Sequence, residues 1–122
     1  MMIPMRCSVG TDLVDVGRIA KSVRNPRFLK RVFTGPEIRY CNGKKNSAQH
    51  FAVRFAAKEA VWKALSGIKA AGIAHKEIGV IRASDGKPSV KLSPRLKKYE
   101  KKISLSLSHT REHALAVAVF LA

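Results

Sequence analysis

Residues 51–65, Phe-Ala-Val-Arg-Phe-Ala-Ala-Lys-Glu-Ala-Val-Trp-Lys-Ala-Leu, constrain this chain more than any other stretch. No Gly, Pro, Ser, Asp or Asn interrupts them. Alanine and long side chains dominate, so the run predicts a helix. Asn46 or Ser47 supplies a start signal and Gly67 a stop. Wound at about 100° per residue, the run places its charged residues, Arg54, Lys58, Glu59 and Lys63, in the half-circle that also holds Phe51, Phe55 and Trp62. The opposite half carries only Val53, Ala56, Ala57, Ala60, Val61 and Ala64. An ordinary surface helix separates apolar from charged residues. This one is apolar around nearly its whole circumference, which predicts deep burial. Charges on a buried helix need partners or a ligand. A purely structural reading fits the same residues. Glu59 and Lys63 form an i, i+4 pair in the favourable order, worth roughly 0.2–0.5 kcal/mol, and Arg54 and Lys58 can reach water from an apolar bed.

The other elements follow in chain order. Residues 5–14 predict a strand anchored by Val9, Leu13 and Val14, with Gly10 a sign of a bulge or of close backbone approach. Asp12 lies inside that apolar stretch. It caps or turns the chain into the next helix, unless Asp15 does so and leaves Asp12 another purpose. A short helix runs from Asp15 to about Val23 and stops at Asn25-Pro26. Arg18, Lys21 and Arg24 share one broad face. Arg27, Lys30 and Arg31 extend this strip, which contains no acid. It reads either as a solvated face or as a docking surface for an acidic partner. Thr34-Gly35-Pro36-Glu37 is a helix-start signature, and a short helix reaches about Tyr40. Strands at 77–83 and 87–92 flank an Asp85-Gly86 turn. Ser93-Pro94 opens a short basic helix to Lys102. From Ile103, the apolar Ile103, Leu105 and Leu107 alternate with serines, and His109 ends the strand on the apolar face. From His113 to Leu121, small residues alternate with Leu115, Val117, Val119 and Leu121. These two strands form a second hairpin, expected in the sheet centre. The fold class is α+β, an antiparallel sheet packed against one long buried helix.

A chain of 122 residues, 46 % of them hydrophobic, builds one domain, 1–122, with a core that needs no staples. Cys7 and Cys41 lack CxxC spacing and a neighbouring His cluster, which argues against a zinc site and against a disulfide scaffold. Buried or idle thiols in a reducing cytosol are the expectation. The opening Met-Met-Ile-Pro-Met-Arg-Cys has no apolar targeting core, and no apolar run is long enough to span a bilayer. A cytoplasmic protein with no membrane contact is therefore expected. Lys and Arg number 24 against 8 Asp and Glu, a net charge of +16. Such a surface attracts polyanions, and charge alone does not choose among nucleic acid, an anionic membrane, a phosphorylated small molecule and an acidic protein.

Asp12 on an early strand and Glu59 on the buried helix are two carboxylates in apolar settings. Magnesium is often held by one or two carboxylates together with substrate phosphates and water. Lys63 lies one turn beyond Glu59, with Arg54 and Lys58 nearby, and basic groups around such a pair suit a pyrophosphate. The residues alone point to a magnesium-dependent phosphoryl-group enzyme.

Gly10-Thr11-Asp12 followed by Arg18-Ile19 resembles the GxD…RI signature of 4′-phosphopantetheinyl transferases, and Arg54-Phe55-Ala56-Ala57-Lys58-Glu59-Ala60 resembles the second signature of that family. Phe33-Thr34-x-x-Glu37, Asp85-Gly86-Lys87-Pro88 and Ser106-Leu107-Ser108-His109-Thr110 extend the likeness along the chain. The chain is similar to the small bacterial type, the holo-[acyl-carrier-protein] synthases. Two positions depart from the pattern: Phe55 stands where larger relatives have Trp, and Thr11 replaces a more usual aliphatic residue. The resemblance implies transfer of the 4′-phosphopantetheine arm of coenzyme A to a serine of apo-acyl carrier protein, with release of adenosine 3′,5′-bisphosphate. It implies Mg2+ bound by Asp12 and Glu59, with Lys63 on the pyrophosphate side. By the same likeness, Arg54 and His109 lie close to the nucleotide and its phosphates; Lys58, the basic group beside Glu59, is also expected to bind substrate. Arg18, Lys21 and Arg24 lie on the helix that meets the acidic carrier protein, and the chain forms a homotrimer with active sites at subunit boundaries. The proton of the attacking serine has two candidate acceptors, Glu59 itself or a metal-bound water oriented by Asp12.

A different class, a small basic nucleic-acid-binding protein, rests on the charge and on the Lys-rich segment 95–102. Against it, Phe51, Phe55 and Trp62 are spaced for burial, not for an exposed stacking platform, and no zinc finger or RNA-binding sheet motif is present. No nucleic-acid partner is expected. A catalytically dead scaffold for an acidic partner is a third reading.

Overall fold

Small residues decide how closely the long helix approaches the sheet. The computed structural model describes residues 6–68, 70–82 and 84–122. Its elements are β1 (Cys7–Asp15), α1 (Val16–Ser22), α2 (Pro26–Val32), α3 (Gly35–Asn42), α4 (Ser47–Ser66), β2 (Ile78–Arg82), β3 (Pro88–Leu92), β4 (Ile103–His109) and β5 (His113–Leu121). Two 3₁₀ segments, His75–Glu77 and Pro94–Lys102, precede β2 and β4. The strands form two antiparallel sheets, β1-β5-β4 and β2-β3. The α+β class is thus observed, with α4 against β1 and β5.

Ala56, Ala57, Ala60 and Ala64 on α4 are fully buried, as are Ala114, Ala116 and Ala118 on β5. Gly10 on β1 completes this close approach: a β-carbon there would collide with the Ala60 carbonyl oxygen. Phe33 and Phe51 fill the core beside α4, edge to face at 5.0 Å between ring centroids. Local signals set the other helices. The Asp15 carboxylate accepts from Arg18 N–H at 3.0 Å and starts α1. Asn25 accepts from Arg27 N–H at 2.9 Å and starts α2. Thr34 and Glu37 form the capping box of α3. Asp15 therefore takes the capping role and leaves Asp12 another purpose.

Several expectations change. Val9 and Leu13 are not core anchors; they are 59 % and 65 % exposed. They lie on the outer face of the sheet, where Val9 pairs with Val119 and Leu13 with Leu115. Under an alanine-lined helix the inner face favours small side chains, so β5 buries Ala114, Ala116 and Ala118 and turns Leu115 and Leu121 outward, with Phe120 buried near the strand's end. Of the last hairpin, only β5 is central and β4 is an edge. Trp62 is 42 % exposed, against the burial expected of it. Asn46 precedes α4 without a side-chain capping bond. Cys41 is buried but Cys7 is exposed. The chain leaves α1 at Ser22, so Arg24 lies in the turn after the helix and not on it. The predicted strand ends at Met5 and Ala83 lie outside the described residues.

Candidate active site

Alternation along β1 turns Asp12 inward, between exposed Thr11 and Leu13. Glu59 lies on α4 at the rim of its buried face. Both carboxylates line one cleft of about 260 Å³, together with Arg18 of α1, Phe28 of α2 and Phe55 of α4. The Lys63 ammonium stands beside it, donating to Thr11 O at 2.8 Å and to Asp12 Oδ1 at 3.4 Å. Burial raises the Asp12 carboxyl above its usual range; Lys63 opposes this and the Glu59 charge adds to it. Two mutually repelling carboxylates in a partly dry cleft suit a hard divalent cation, which would relieve that repulsion. Among the described residues no cluster of three or more His, Cys, Asp or Glu gathers at one place. An ion held by Asp12 and Glu59 would draw its remaining ligands from water or from substrate oxygens.

Glu59 has a protein partner that sequence reasoning missed. His75 Nε2 lies 2.7 Å from Glu59 Oε1. The imidazole also stacks on Phe55, with centroids 5.8 Å apart and planes 13° from parallel. Nothing local to His75 signals this pairing; it arises only when the chain after α4 folds back along the helix.

Lys58 requires a correction. It is fully buried, and its ammonium bonds Glu37 Oε1 at 2.7 Å, Ile78 O at 2.7 Å and His75 O at 3.2 Å. These partners leave it no path to a substrate, and its role is to join α4 to α3 and to the start of β2. Arg54 is 8 % exposed, with its guanidinium 4.2 Å above the Tyr40 ring. It lines a basic groove of about 760 Å³ that also contains His50, Arg82, Lys87 and His109. His109 is exposed at the end of β4 and lines that groove, on the same strand face as Ile103, Leu105 and Leu107. Burial, with Arg54 next, pushes the His50 imidazole below its ordinary value. The predicted residues thus divide. Asp12, Glu59, Lys63 and Arg18 gather at the cleft, Arg54 and His109 at the groove, Lys21 and Arg24 are exposed on and after α1, and Lys58 is in the core.

A family profile described as the 4′-phosphopantetheinyl transferase superfamily matches residues 8–118. The holo-[acyl-carrier-protein] synthase of Geotalea daltonii is 42 % identical over 117 residues, 90 % of this chain and 94 % of the relative. A crystal structure of the holo-(acyl-carrier-protein) synthase of Bacillus anthracis, in complex with CoA (3′,5′-ADP), superposes with a TM-score of 0.76 at 30 % identity, covering 94 % of this chain and 96 % of that one. The Mycobacterium tuberculosis acyl carrier protein synthase gives a TM-score of 0.72 at 36 % identity, with 94 % and 96 % covered. The nucleic-acid-binding alternative finds no support in these matches. The profile spans most of the chain and the relatives match it nearly end to end: the chain belongs to the 4′-phosphopantetheinyl transferase superfamily, among its holo-[acyl-carrier-protein] synthases.

Proposed function

We propose that this chain transfers the 4′-phosphopantetheine arm of coenzyme A to a serine of apo-acyl carrier protein and releases adenosine 3′,5′-bisphosphate. The observation that carries the reading is the convergence of Asp12 from β1 and Glu59 from α4 on one cleft, with the Lys63 ammonium beside Asp12. The serine oxygen forms its bond to the phosphorus bearing the pantetheine arm as the bond to the nucleotide's phosphate breaks. Such a reaction needs positioning and charge stabilisation more than covalent help from the protein. Asp12 and Glu59 would hold Mg2+, which when bound offsets charge on the diphosphate. Lys63 holds Asp12 in place and adds positive charge on the same side. Arg54 and His109, in the basic groove, receive the nucleotide phosphates; that coenzyme A is the substrate is supported by the Bacillus anthracis relative, solved in complex with CoA (3′,5′-ADP). Arg18, Lys21 and Arg24 present positive charge to an acidic carrier protein.

In one copy the cleft and the groove have separate linings. A homotrimer with each active site at a subunit boundary accounts for both them and the apolar outer face of the sheet, where Val9, Leu13, Leu115 and Leu121 are all at least 40 % exposed. The core draws on elements from β1 to β5, which supports one domain across 1–122. Among the described residues no helix is long and apolar enough to cross a membrane. Action in the cytoplasm, in fatty acid biosynthesis, is the setting that follows from the substrates.

Intact mass spectrometry of apo-acyl carrier protein, incubated with this protein, coenzyme A and Mg2+, tests the reading. The expected result is a gain of one phosphopantetheine, lost in Asp12→Ala and in Glu59→Ala while both variants stay folded. No mass gain with the wild-type protein would overturn the activity. Near wild-type transfer by either variant would overturn the metal assignment.

A further inference from the structure

Resting on the reading of Glu59 as a ligand of the divalent cation, we propose that His75 is a positioning residue for Glu59. Its imidazole holds one carboxylate oxygen, so that the other is presented to the cation. A carboxylate only accepts, so at 2.7 Å the Nε2–H of His75 donates to Glu59 Oε1. Oε2 is then left for the metal, and the side chain loses the freedom to swing away. The imidazole is itself held. Phe55 packs flat against its ring. Its backbone carbonyl accepts from the Lys58 ammonium at 3.2 Å, and Lys58 is locked by Glu37 at 2.7 Å. Glu37 in turn accepts from Thr34 N–H at 2.8 Å and Val80 N–H at 2.9 Å. A buried ion pair therefore fixes the 3₁₀ segment that carries His75, and the residue next to Lys58 on α4 receives the benefit.

Partners of this kind, behind a metal's own ligands, typically change metal affinity or activity by about 10–100-fold when removed. The His75–Glu59 pair is 37 % and 23 % exposed at its side chains, and a partly exposed pair contributes little to folding. Its loss should appear in cation binding and in turnover, not in the unfolding midpoint.

The experiment uses the full chain with Mn2+ as the probe, titrated and read by electron paramagnetic resonance without substrate. Steady-state kcat and the KM for coenzyme A are measured alongside. His75→Phe keeps the stacking on Phe55 and deletes the donor. His75→Gln keeps a donor near the Nε2 position. The expected result is a Mn2+ Kd raised about tenfold or more in His75→Phe, with kcat lowered, KM for coenzyme A little changed and the thermal midpoint retained. His75→Gln should recover most of the affinity. Wild-type Mn2+ affinity in His75→Phe, or equal losses in His75→Phe and His75→Gln, would overturn the inference. Glu59→Gln separates it from the reading it rests on. If that variant binds Mn2+ like the wild type, the metal assignment fails and His75 has no cation to serve. If it loses Mn2+ while His75→Phe does not, the role of His75 alone is wrong.

Discussion

Both oxygens of the Glu37 carboxylate are engaged. Oε1 accepts from Thr34 N–H and from the Lys58 ammonium, and Oε2 from Val80 N–H. The capping half of this arrangement is legible in Thr34-Gly35-Pro36-Glu37, because a capping box is local. The other half is not: Lys58 is distant in sequence, and its charge on an apolar helix suggests a ligand as readily as a buried acid. Burial lowers the Lys58 ammonium from its ordinary value, and Glu37 opposes that. Removing one member of a buried pair leaves the other charge without compensation, at a cost of about 3–5 kcal/mol. Glu37→Gln should lose stability of that order in urea unfolding; a loss below about 1 kcal/mol would mean that the pair behaves as an exposed one. The neighbouring Cys41 thiol is pushed up to about 11, mainly by burial, which disfavours its reactive thiolate form at neutral pH.

At the scale of elements, the two 3₁₀ segments are joined by one side chain. Arg95 donates to Glu77 Oε1 through Nε at 2.6 Å, to Glu77 Oε2 through Nη2 at 2.7 Å, and to Gly72 O at 2.9 Å. The Arg95 bonds to Glu77 first, then the bond from Ala74 N–H, pull the Glu77 carboxyl down from 4.5 to about 2. A carboxyl with a lower pKa in the folded state contributes its full stabilisation above its unfolded value. That contribution disappears as pH falls through the folded value. The Glu77–Arg95 contribution is therefore complete above about pH 4.5 and lost toward about pH 2. Arg95→Ala should be less stable than the wild type above that window and approach it at the acid end, as followed by circular dichroism across a pH series. Parallel profiles with a constant offset would show that the ion pair is not the source. The strands and helices themselves are largely legible in order, since caps, turns and alternation are local signals. Which face of β5 is buried is not: alternation of small and large apolar residues marks two faces but not which one meets α4. Gly10 and the alanines of α4 decide it by leaving space only for small side chains opposite the middle of the helix, where Ala114, Ala116 and Ala118 are buried.

At the scale of the molecule, the excess of positive charge, +16, is a long-range attraction for acidic and phosphorylated partners. Arg18 lines the cleft itself, so docking is better tested at Lys21 and Arg24, which are exposed. The double charge reversal Lys21→Glu/Arg24→Glu should raise the KM for carrier protein roughly tenfold and leave the KM for coenzyme A unchanged; equal increases in both would argue against a separate docking face. The apolar outer face of the β1-β5-β4 sheet sets a second expectation. A contiguous exposed patch of this kind marks an interaction surface. Val9→Glu/Leu115→Glu places charge there without touching the core, and should convert the proposed trimer to monomers in sedimentation velocity with loss of transfer activity. An unchanged sedimentation coefficient would remove that face from the assembly.

From sequence, the helices, strands and turns, the placement of charge on α4 and the candidate pairing of Asp12 with Glu59 can be read. Each depends on periodicity, capping or residue chemistry within a few positions, or on signatures that survive without coordinates. Tertiary structure alone decided that Lys58 is an internal strut, that His75 meets Glu59, and that Val9, Leu13, Leu115 and Leu121 face outward. Those outcomes depend on which surfaces come together. Contacts between residues distant in sequence are settled by packing volume and by the pairing of buried charge, and neither leaves a local trace.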